Sequence, residues 1–172
     1  MNKKNLTNSA FLLIACVALA CLYATGLQNE LIFDDARLTD GSVFGQFGSL
    51  FPLKARLFSF GSFVWAQDLL GDGWQAQRAL NISLHVLTML ALYALLRALQ
   101  PHTLVNATDD ETPHTANTRL AAVRMATVLW AFNPVAVYAV AYLIQRSVLM
   151  ATLGVVISCW AFVKALETRQ YR

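Results

Sequence analysis

Charge is scarce in this chain. Only 13% of its 172 residues are Asp, Glu, Lys or Arg, against 57% that are hydrophobic, and the mean hydropathy is +0.49. A water-soluble domain of this length could not keep so much apolar surface out of solvent. Cysteine is nearly absent too: Cys16, Cys21 and Cys159 all lie inside apolar runs, where a thiol behaves as a small apolar side chain. No disulfide framework is implied. Metal-ligand spacing is also missing. The stretch QPHTLVNATDDETPHTANT holds His102, Asp109, Asp110, Glu111 and His114 in no recognised metal-binding order, and reads as a solvated loop.

What the chain does have is long apolar runs. A hydrocarbon core of about 30 Å takes roughly 20 apolar residues per helix. Four runs of that size stand at about 10–27, 80–99, 120–138 and 147–166, so the expected fold is an all-α integral membrane protein with about four transmembrane helices in a single membrane domain, 1–172. The first run could serve as a cleaved leader, with Ala18-Leu19-Ala20 as its small-residue site, but it continues apolar to Leu27 and reads as a retained helix. Asn133-Pro134 interrupts the third run, which is expected to kink or end there and continue as a short interfacial segment.

Orientation follows from the basic residues near the helix ends. Lys3 and Lys4 precede the first run, Arg97, Arg119 and Arg124 bracket the connection 100–119, and Lys164, Arg169 and Arg172 close the chain. These sides are expected to be cytoplasmic, with both termini inside. The loop 28–77 carries Arg37, Lys54 and Arg56 against Glu30, Asp34, Asp35, Asp40, Asp68 and Asp72, and is expected to face outward. Within it, Leu53, Leu57, Phe60 and Val64 recur at helical spacing after Pro52 and before Gly71-Asp72-Gly73. That pattern predicts an amphipathic interfacial helix over 52–70.

The residues that invite chemistry gather on that outward side. LIFDDARLTD sets Asp34 and Asp35 just past the first run. Arg78, Asn81 and His85, at i, i+3 and i+7, form one stripe at the mouth of the second, and Arg146 returns the chain to the same face before the fourth. Ionisable groups at membrane depth are costly and mark functional sites by default. A carboxylate serves as general base or holds a divalent cation, and a guanidinium grips phosphate in two parallel hydrogen bonds. Transfer from a lipid phosphate would use such a set, with Arg56, Arg78, Asn81, His85 and Arg146 on phosphate or substrate. A structural reading stands beside it: helix-end arginines snorkel, His85 hydrogen-bonds a neighbouring helix, and the two acids cap a turn.

FDD after the first helix, an Arg in an aromatic-rich loop, NISLH opening the second and NPVAVYAVAYLIQR before the fourth together resemble the N-terminal part of the GT-C superfamily of polytopic glycosyltransferases. The nearest likeness is to the protein O-mannosyltransferase-related membrane proteins with tetratricopeptide repeats, of bacterial type. The resemblance spans about 31–146 and falls on Phe33, Asp34, Asp35, Asn81, His85, Pro134, Val140, Tyr142 and Arg146. It departs at Asn133, where the family commonly has His, at Tyr138, where it has an acid, and at Leu57, where it has Pro. It implies sugar transfer from a polyprenyl-phosphate donor at the outer face of a bacterial inner membrane, with Asp34 or Asp35 as base or metal ligand. Superfamily members use about nine or more helices, so four would need further helices from a partner membrane chain. Membrane lipid is the other expected partner; nucleic acid is not. The alternative expectation is a non-catalytic membrane subunit or truncated remnant with an assembly role only.

Overall fold

A computed structural model describes residues 3–48, 54–100 and 113–170. The connection 101–112, with four of the five candidate metal ligands named above, and Pro52 and Leu53 lie outside them. Every element among the described residues is helical. Three helices are long and apolar enough to cross a bilayer, within Leu6–Ala24, Trp74–Leu99 and Leu143–Thr168.

Helix α1 (Lys3–Ala24) begins well before the apolar run at Ala10 and stops before its end, because the chain turns at Gly26 and Leu27, whose amides donate to Tyr23 O and Ala24 O. A 3₁₀ turn (Phe33–Asp35) then leads into the short helices α2 (Ala36–Thr39) and α3 (Ser42–Phe47). Helix α4 (Leu57–Leu70) follows, and Gly71, at φ +85°, halts it as expected, since positive φ is cheap only without a Cβ. Helix α5 (Trp74–Leu99) has 26 residues, roughly 39 Å at 1.5 Å per residue. It is the hub, packing on α1, α4 and three later helices.

Those three follow the break expected in the third apolar run: α6 (Pro113–Ala131) ends before Asn133-Pro134, and α7 (Ala136–Ala141) starts anew beyond it. Pro134 cannot donate to a continuing helix, and Asn133 Oδ1 accepts from Val135 N at 2.9 Å, closing a side-chain turn that favours the break. A 3₁₀ turn (Leu143–Gln145) then feeds α8 (Arg146–Gln170).

Two apolar cores result. One lies in the bundle, where Ala15 and Leu19 of α1 meet Met89 of α5, Ala131 of α6, Val140 of α7 and Leu149 of α8. The other sits at the loop end, where Leu57, Phe60 and Phe63 of α4 cover Leu38, Val43, Phe47, Leu143 and Ile144. Burying each of those large side chains stabilises by about 1.5–3 kcal/mol before entropy is counted. Helix α4 thus starts at Leu57 rather than Pro52. Leu57 and Phe60 of its stripe, together with Phe63, are buried against the protein, while Phe58, Leu69 and Leu70 stay exposed.

Candidate functional site

Between the two cores lies a polar seam. Residues Gln77, Arg78, Asn81, His85 and Thr88 are all buried on α5, one face of one helix. At its centre is Arg146, the first residue of α8 and 0% exposed. Its Nε donates to Asn81 Oδ1 at 2.7 Å, Nη1 to Ser62 Oγ at 3.2 Å, and Nη2 to Gln77 O and Oε1 at 3.0 and 2.8 Å. The guanidinium carbon stands 3.7 Å from the centroid of the fully buried Phe63 ring. Each acceptor is neutral. Hydrogen bonds to a charged donor are worth about 1.5–3 kcal/mol apiece, and a stacked ring adds a cation–π term, so amides and a ring do here what a carboxylate would otherwise do.

The rest of the seam is equally occupied. Asn81 Nδ2 donates to Val140 O at 3.4 Å. His85 Nε2 lies 2.9 Å from Ala131 O, the last residue of α6, whose carbonyl lacks a helical partner; the ring nitrogen is therefore assigned as the donor. Tyr23 and Trp130 flank the same imidazole, with centroids 5.7 and 5.3 Å away. Gln77 Nε2 reaches Phe63 O at 3.0 Å, which fastens α4 to α5.

Arg78 stands at the seam's edge, 5% exposed. Its Nη1 and Nη2 donate to Leu27 O at 3.2 Å and Glu30 O at 3.0 Å, pinning the turn after α1 to α5. Its Nε has no partner, and the side chain lines a cleft of about 210 Å³ with Tyr23, Asn29, Ile82 and Val140. Arg56 is elsewhere: it is exposed, adopts φ +64°, lies 5.7 Å from the Phe60 ring, and borders a separate groove of about 440 Å³ between α4 and α8 with Lys54 and Ser147.

The two acids divide. Asp35 is 1% exposed, and its Oδ1 accepts from Ile144 N at 2.9 Å, with Leu143 N adding a second interaction. Burial raises its pKa above the ordinary carboxylate value, against the smaller opposing pull of those amides and of Arg78. Asp34 is exposed, and its own amide donates to Tyr142 Oη at 2.7 Å. Together they dock FDD onto the YLIQ turn that launches α8. No ion pair joins either acid to Arg56, Arg78 or Arg146 among the described residues.

The expected set is therefore brought together only in part. Asn81, His85 and Arg146 share the sealed seam, Arg78 and Asp35 border it, and Asp34 and Arg56 face outward from the protein at separate places. Sequence reasoning missed Gln77 and Ser62, neutral residues that hold the buried guanidinium. Gln77 sits one position before Arg78 and four before Asn81, so the stripe's own spacing could have found it.

A second polar cluster lies further along the bundle. Arg124 Nη2 and the Tyr93 hydroxyl both donate to Asn8 Oδ1, and the Arg124 guanidinium lies 5.0 Å from the Phe11 ring. Among the described residues no group of three or more His, Cys, Asp or Glu is placed to hold a metal ion. Compared with known families, curated proteins and solved structures, the chain matches none.

Proposed function

We propose that this chain is a GT-C-like membrane glycosyltransferase module that moves a sugar from a polyprenyl-phosphate donor, with further helices supplied by a partner. The observation that carries the reading is the division between the acids: Asp35 is buried and bonded to Ile144 N, while Asp34 beside it is exposed. One carboxylate is held as an anchor, and the other is presented by that anchor to substrate.

In this reading Asp34 takes the proton of the acceptor hydroxyl, the acceptor oxygen bonds to the anomeric carbon, and the sugar–phosphate bond breaks with its electron pair leaving on phosphate. Arg56, exposed at the α4–α8 groove, is the guanidinium open to phosphate, and Arg78, buried beside its own cleft, would exchange its bonds to Leu27 O and Glu30 O to join it. Asn81, His85 and Arg146 then position the helices rather than touch substrate. Of the two adjacent acids a divalent cation would find Asp34 open, and would draw the remainder of its six or so oxygen ligands from water and phosphate. The general-base role asks less of the site.

Helix α6 serves as the fourth crossing, which leaves both termini on the cytoplasmic side of a bacterial inner membrane and the loop 25–73 outside. Phe58, Leu69 and Leu70, exposed on α4, then rest at the bilayer surface. A second reading, a non-catalytic subunit with an assembly role, is favoured by α8: in its most apolar 18-residue window only 6% is buried, leaving a broad face for other helices.

The test is sugar transfer from radiolabelled polyprenyl-phosphate monosaccharides by membranes holding the full chain and its genomic neighbours. Transfer lost in Asp34→Asn at unchanged protein level supports the enzyme. Transfer unchanged in that variant overturns it.

A further inference from the structure

At the loop end, beside the seam, is a recess of about 370 Å³ that neither the acids nor the guanidiniums line. Its size falls within the range of about 300–1,000 Å³ usual for small-molecule sites. Two aromatic rings wall it, Phe44 of α3 and Trp74, the first residue of α5, with centroids 6.5 Å apart and planes at 59°. Leu38, Thr39, Gln67, Asp72 and the buried Gln77 complete the lining. Gln67 Nε2 donates to Asp72 Oδ1, so amide and carboxylate are already oriented to each other. Gln77 is fixed from behind by Phe63 O and Arg146. Gly41, at φ +77°, adds no side chain to the rim, and a Cβ there would meet nothing within 4 Å.

The chemistry of that wall is selective. Among the described residues no Lys or Arg lines the recess and Asp72 is its sole charge, so a phosphate or carboxylate ligand is repelled. An aromatic face offers an apolar platform. Beside it the planar amide both donates to and accepts from hydroxyls, and the carboxylate accepts from them. A ligand with one flat C–H face and a rim of adjacent hydroxyls meets both demands at once, and that is a pyranose ring. A quaternary ammonium would also suit an aromatic wall with one acid, but would leave the Gln67 amide and the Thr39 hydroxyl unused.

We propose that this recess binds one neutral pyranose unit, its C–H face on Trp74 and its hydroxyls on Asp72, Gln67 and Thr39. The site rests on its own lining and stands whether or not Asp34 takes part in transfer. Saturation-transfer NMR tests it, using the full chain in lipid nanodiscs with the methyl glycosides of glucose, galactose and mannose as probes. Ring C–H protons of at least one glycoside should receive saturation, and affinity should fall about tenfold in Trp74→Ala and in Asp72→Asn. Asp72→Asn, at an exposed position, carries the test if Trp74→Ala does not fold. Asp34→Asn should bind undiminished, so a failed recess and a failed transfer reading are told apart. Three results overturn the proposal: no saturation of any glycoside, binding unaffected by Asp72→Asn, or recess-dependent binding of choline in place of the glycosides.

Discussion

Asp35 Oδ1 sits 2.9 Å from the backbone nitrogen of Ile144, 109 residues further along the chain. The contact ties the turn after α1 to the turn before α8, and its carboxylate is buried at a cost that raises its pKa. Asp35→Ala should lose about 2 kcal/mol by orphaning buried amides, whereas Asp35→Asn keeps an acceptor oxygen and should stay close to the parent.

The pH dependence has a definite sign. With the folded pKa above the ordinary aspartate value of 3.8, the folded state holds its proton where the unfolded chain has released it. Stability therefore declines as pH rises from the unfolded value through the folded one, and levels off above it. Thermal melts of the full chain across acidic pH should show that decline in the parent. It should flatten in Asp35→Asn, and an unchanged slope would remove Asp35 as its source.

Arg146 is predicted to be the most sensitive buried position. Arg146→Ala leaves Asn81, Gln77 and Ser62 without their donor and should cost about 3 kcal/mol or more. Arg146→Lys cannot span all three and should recover less than half. In a double-mutant cycle Asn81→Ala and Arg146→Ala should fall short of additivity by at least ~1 kcal/mol. Additive losses would mean the two side chains act separately.

Much of this seam was legible. Arg78, Asn81 and His85 are polar residues at i, i+3 and i+7 in an otherwise apolar helix, and burial of one face follows from that period. What holds Arg146 was not, because a buried cation suggests an acid partner, and nothing in spacing says that amides from α5 and a serine from α4 will suffice. The break in the third apolar run was legible as well: hydropathy continues across Asn133-Pro134 although the backbone cannot, and the helix ends at Ala131 before a short new helix begins at Ala136. The start of α4 was set too early because Leu53 and Leu57 share helical spacing. The helix begins only after Arg56, whose left-handed φ of +64° no hydrophobic pattern encodes.

Topology separates three crossings from four. If α1, α5, α6 and α8 all cross, a phosphatase reporter fused after residue 170 stays inactive and one inserted near Gly45 is active. If α6 does not cross, the C-terminal reporter becomes active while the N-terminus remains inside. The second pattern would remove α6 from the membrane.

The central claim is that adjacent acids have opposite fates, Asp34 open and Asp35 sealed against the start of α8. Carbodiimide labelling of the full chain in native membranes, read residue by residue from peptide fragmentation, measures this directly. Asp34 should be modified readily and Asp35 protected, with Asp35 becoming reactive only when the protein is unfolded. Equal labelling of both carboxylates in the folded protein, or protection of Asp34, would contradict the account.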